Sequence, residues 1–138
     1  MATKSSGFSL VELLVVVAIL GILSAVGILT YNGYVKGTKI RAAKAMMQQI
    51  SLAQTEEYSS TGEYFISSSG TASACTAGAD SSSELETNLF SGDNVLADDI
   101  GFHFCVFGSG ATFTVVAENT DGCIISLQRN GAPSRVGC

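Results

Sequence analysis

From Leu13 to Val35 the chain carries no formal charge, and this run limits the possible folds more than any other feature. Wound as a helix at ~1.5 Å per residue, it is long enough to cross ~30 Å of hydrocarbon. A single acid stands at its edge, in Gly7-Phe8-Ser9-Leu10-Val11-Glu12-Leu13-Leu14. An ionised carboxylate beside a lipid-crossing segment is unfavourable unless something positive meets it, so Glu12 is a functional residue by default. The first basic residue on its C-terminal side is Lys36, far beyond helical reach. The expected partner is a chain terminus, a lipid head group or another chain.

The rest of the chain is of another kind. Its 138 residues leave room for that helix and one small domain, and the domain is rich in Ser, Thr, Gly and Ala. All four cysteines (Cys75, Cys105, Cys123 and Cys138) fall in the polar part. An even count in a small exported domain predicts two disulfides and an oxidising compartment. Three pairings are possible, and the favoured one joins Cys75 to Cys105, tying a serine-rich loop to a strand, and Cys123 to Cys138, pinning the C-terminal tail. No CxxC pair exists and His103 is the one histidine, so no metal and no cofactor are expected.

Charge is segregated as well. Lys36, Lys39, Arg41 and Lys44 cluster just past the apolar run, and from Ala45 to Leu127 there are eleven acidic residues and no Lys or Arg. An acidic domain lacks the phosphate attraction on which nucleic-acid binding rests, so no nucleic acid is expected as partner. The basic cluster reads as a contact for lipid head groups or for neighbouring acidic domains. Counting positive charges flanking the span, Lys4 before and four after, would leave the domain inside the cell. The cysteines point outside, and they carry more weight.

The helix is expected to continue past the span. Ile40, Ala43, Met47 and Ile50 recur at three- and four-residue spacing, with Lys39, Lys44, Gln48 and Gln49 off that stripe. Gly62 is the expected stop. A helix from about Phe8 to Tyr58 would be ~75 Å long. A low-complexity loop, Ser67-Ser68-Ser69-Gly70-Thr71-Ala72-Ser73-Ala74-Cys75, follows, then a short helix over Glu84 to Phe90 capped by Ser83. Three strands are predicted at Phe102–Phe107, Thr112–Ala117 and Cys123–Leu127, separated by turn sequences, hence an antiparallel meander. Its apolar face would pack on the Ile40–Ile50 stripe, giving an α+β fold.

The order Gly7, Phe8, three mostly apolar residues, Glu12 and a long apolar helix resembles the class III signal of type IV pilins and of their relatives, the pseudopilins of type II secretion. The likeness continues through Ala18-Ile19-Leu20-Gly21-Ile22-Leu23-Ser24-Ala25 to Tyr31 and Tyr34. It implies the pilin fold, with a leader over 1–7, a transmembrane and filament-core helix over 8–35, and a periplasmic or extracellular domain over 36–138 that includes the second half of the helix. It implies cleavage between Gly7 and Phe8 by a prepilin peptidase, N-methylation of Phe8, and association of Glu12 with the N-terminal amine of an adjacent subunit. Such a pair attracts by several kcal/mol at an effective dielectric near ~20. Desolvation returns part of that, so the pair chiefly specifies axial register.

The implied role is a structural subunit, not an enzyme: a single-pass inner-membrane precursor that the pilus assembly machinery packs into an extracellular, homo-oligomeric helical filament. A type II secretion pseudopilin, and a minor pilin acting as adhesin or DNA-uptake receptor, are the alternatives. The family very often has a proline where this chain has Leu29, leaving Gly21 and Gly27 as the weak points of the helix. No GxSxG, phosphate loop or HExxH is present. Asp93, Asp98 and Asp99 fit no defined calcium spacing.

Overall fold

The computed structural model describes residues 7–68, 70–71, 74–96 and 98–138, with Asp98 described by its backbone alone. Residues 1–6 of the expected leader, and Ser69, Ala72 and Ser73 of the serine-rich loop, lie outside the described residues. In chain order the elements are helix α1 (Leu10–Thr61), helix α2 (Ala79–Leu89), a 3-10 turn (Asp98–Ile100) and strands β1 (Phe102–Gly108), β2 (Phe113–Asn119), β3 (Ile124–Gln128) and β4 (Ser134–Val136). The chain divides into two units, Met1–Thr38 and Lys39–Cys138.

Among the described residues of the first unit, nothing packs against α1. Every side chain from Gly7 to Tyr34 is exposed, including Leu10, Val11, Leu29 and Tyr34. The helix runs unbroken through Gly21 and Gly27, and its most apolar window has a mean hydropathy of 2.8, enough by length and composition to cross a membrane. Polar side chains inside it satisfy themselves locally. Ser24 Oγ donates to the Leu20 carbonyl at 2.7 Å, and Thr30 Oγ1 to that of Val26 at 3.1 Å, so neither hydroxyl needs water.

The second unit is an α+β layer pair. Its sheet has the order β1-β2-β3-β4, antiparallel throughout. Alternation puts Phe104 beside Ala117 and Val106 beside Val115, then Ala117 beside Ile125 and Val115 beside Leu127. These side chains form one buried face, and Ala43, Met47 and Ile50 of α1 are buried with them in a single cluster that Ile40 flanks. The predicted stripe is the packed one. α1 ends at Gly62, whose φ of +86° suits glycine and whose N–H bonds the Tyr58 carbonyl at 2.9 Å, a left-handed stop.

Gln54 extends the stripe with a polar residue. It is fully buried, its amide nitrogen donating to the Phe65 carbonyl and its oxygen accepting the Phe65 N–H, both at 2.8 Å. The side chain thereby acts as a strand partner for the segment that folds back after the helix.

The serine-rich region has a structural task. β1 is a sheet edge, yet the outward backbone groups of Phe104 and Val106 and the Gly108 N–H are met. Ser67 N–H bonds the Val106 carbonyl at 3.0 Å and Gly108 N–H bonds the Thr71 carbonyl at 3.0 Å, while Val106 N–H bonds Ser67 Oγ at 2.9 Å. From α2, Ser81 Oγ donates to the Phe104 carbonyl at 2.8 Å and Ser82 Oγ accepts the Phe104 N–H at 2.9 Å. This corrects the expected helix start. α2 begins at Ala79 rather than Glu84 because Ser81 and Ser82 are bonded to β1, and Ser81 Oγ also accepts the Gly78 N–H at 2.9 Å. Gly108 closes the strand where a Cβ would run into the Thr112 carbonyl.

The sheet also has a strand beyond the three predicted. The tail pairs with β3 as β4, Ile124 opposite Val136 and Ser126 opposite Ser134, with the two serine hydroxyls 2.6 Å apart. Three residues after Pro133 are too few to display alternation, so the pattern was not readable.

Candidate functional site

At the start of α1 the first four backbone N–H groups lack helical partners. Ser9 is the residue before the helix, and its carbonyl accepts the first helical bond from Leu13 N–H at 3.2 Å. Glu12, three residues on, reaches back so that its Oε2 accepts the Ser9 N–H at 2.9 Å. That is one arm of a capping box, and a carboxylate there also faces the positive end of the helix dipole. This is a neutral partner within the chain, beside the positive one expected of a terminus, a lipid head group or another chain. One of its oxygens is held by its own chain, and the Ser9-x-x-Glu12 pattern was the signal for it.

The bond fixes where the anion sits without consuming it. A carboxylate accepts at two oxygens, and no ion pair to Glu12 forms among the described residues. Around it stand exposed apolar side chains, Leu10, Val11, Leu13 and Val15 among them. Phe8 is 79% exposed, four residues before Glu12. Gly7 is exposed, and a Cβ built on it would meet nothing within 4 Å. The arrangement brings the Gly7–Phe8 peptide, Ser9 and Glu12 together at one end of an apolar helix. It can present a positioned negative charge to a cation on another chain.

The remaining candidates lie in the second unit. Disulfides join Cys75 to Cys105, 30 residues apart, and Cys123 to Cys138, 15 apart, one fastening the serine-rich segment to β1 and the other closing the tail beside β3. His103 sits across from Glu118 on the sheet face away from α1, half-buried, with its Nδ1 enclosed and without a hydrogen-bond partner among the described residues. No group of acids, cysteines and histidine with a metal-binding arrangement occurs among the described residues. The side chain of Asp98, one of the three aspartates weighed for calcium, lies outside them.

The family model described as the prokaryotic N-terminal methylation motif matches residues 2–28. Fimbrial proteins of Neisseria meningitidis, one from serogroup B and one from serogroup A, are each similar to this chain at 38% identity over 64 residues. The alignment takes in 46% of this chain and 38% of each relative, so the chain spans well under half the length of the curated proteins it matches. No solved structure matches it.

Proposed function

We propose that this chain, which belongs to the type IV pilin and pseudopilin superfamily, is a structural subunit of a type IV pilus filament. One observation carries the reading: an unpacked apolar helix, exposed over its whole described length to Tyr34, with a positioned acid at its first turn. So large an apolar surface must be covered by lipid or by other copies.

In this reading 1–7 is a leader removed by a prepilin peptidase between Gly7 and Phe8, and the new amine on Phe8 is methylated, which leaves it basic. Residues 8–35 hold the precursor in the inner membrane and later form the filament core, while 36–138 becomes the extracellular domain. Glu12 meets the Phe8 amine of a neighbouring copy. The capping bond supports that role, since a carboxylate already ordered by Ser9 gives up less freedom on pairing. The pair sets how far one helix slides past the next, and apolar packing between helices supplies most of the cohesion. The superfamily is structural, and no catalytic role is assigned to His103 or to the acidic residues.

The deciding experiment shears filaments from the cell surface and determines their protein composition and N-terminus by mass spectrometry. Filaments built mainly of this chain, beginning at a methylated Phe8, are the expected result. A chain found only as a minor component, or retaining Met1, overturns the assignment.

A further inference from the structure

The Lys39–Cys138 unit leaves charges of both signs unanswered. Arg41 is exposed and Lys44 half-buried on α1, and neither makes an ion pair among the described residues. Farther along the same helix, Glu56 and Glu57, with Asn88 and Asp93 from the α2 end, line a groove of about 420 Å³. Its three acids likewise form no ion pair among the described residues. Lys39 is placed differently, its ammonium lying beside the Gly101 turn.

At ~100° per residue, the Arg41–Lys44 pair and the groove lie about 140° apart around the helix axis, and several turns apart along it. They cannot meet within one chain. On two copies they can, and the contact has a definite character. Where it takes one patch from each copy, the complementary patch of each stays free, so the contact is heterologous and can propagate as an open series.

We propose that Arg41 and Lys44 of one copy dock in the Glu56–Glu57–Asp93 groove of another, a contact that repeats along the filament. This rests on the filament reading above and names a second point of attachment, distant from Glu12. Exposed charge pairs are individually weak. Their complementarity selects the partner surface and speeds encounter, and here each copy would use both patches.

Two measurements on the full chain test it. In the first, sheared filaments are treated with a carbodiimide, which joins an amine to a carboxylate without a spacer, and linked peptides are read by mass spectrometry. A Lys44–Glu56 or Lys44–Glu57 link is expected, and the separation along and around α1 means that it forms only between copies. Its absence, where other amine–carboxylate links are recovered, overturns the contact.

In the second, Glu56→Lys with Glu57→Lys should lower filament yield about tenfold, equivalent to ~1.4 kcal/mol, at unchanged membrane level and with both disulfides intact. Adding Arg41→Glu and Lys44→Glu should restore most of the yield. Normal yield from the first variant, or no recovery in the combined one, overturns the contact. If the double variant fails to accumulate, the cross-linking result decides. Wild-type chain missing from filaments would instead overturn the functional reading itself.

Discussion

Glu12 has one oxygen bonded to the backbone of its own chain, and two substitutions separate that duty from the charge. Glu12→Gln keeps an acceptor for the Ser9 N–H and removes the charge, whereas Glu12→Val removes both. Both variants should reach the membrane and lose residues 1–7, and both should enter filaments poorly, measured as sheared filament against membrane pool. Normal assembly of the Gln variant would show that the charge is not needed. The acid was legible from sequence because it is the one acid at the edge of an apolar run. Gln54 was not, since its partner, Phe65, lies 11 residues on and only the fold-back of the chain creates the bond. Gln54→Leu leaves the Phe65 N–H and carbonyl without that partner, so it should destabilise the Lys39–Cys138 unit by ~2–4 kcal/mol, read by denaturant unfolding of the full chain in detergent.

Among the elements, α1 and the three longer strands were readable because their periods, 3.6 and 2, run long enough to be seen. α2 was displaced, because Ser81 and Ser82 look like loop residues until β1 is present to receive them. Ser81→Ala with Ser82→Ala should therefore behave unlike an exposed serine change. The Phe104 carbonyl and N–H lose their partners, and a destabilisation of ~2–4 kcal/mol is expected in the same unfolding measurement, with faster amide exchange along β1. The tail depends on both strand pairing and a covalent closure. Replacing Cys123 and Cys138 together by serine opens a loop spanning 15 residues, which removes ~3 kcal/mol in the chain-entropy model. Thermal unfolding should fall accordingly, and exchange should rise over Ser134–Val136 before it does in β1. Uniform loss across the sheet would refute a local role for the bond.

For the whole molecule, the proposed function has the same apolar surface serve in two surroundings, first lipid and then other copies. Before assembly the chain should behave as an integral membrane protein, remaining in the pellet after alkaline carbonate extraction, and release into the supernatant would refute the spanning reading. Composition alone indicated this division of labour, since the uncharged run and the cysteines fall in separate parts of the sequence. The surface charges were visible too, but their arrangement on different flanks of α1 emerged only once α2 supplied the second wall of the groove. In the proposed filament, great numbers of identical sheets would lie within a few nanometres of one another, conditions under which uncovered strands join edge to edge and convert to amyloid. With β1 sealed by serines and β4 reduced to three residues after a proline, these sheets can be stored at extreme crowding and remain separate.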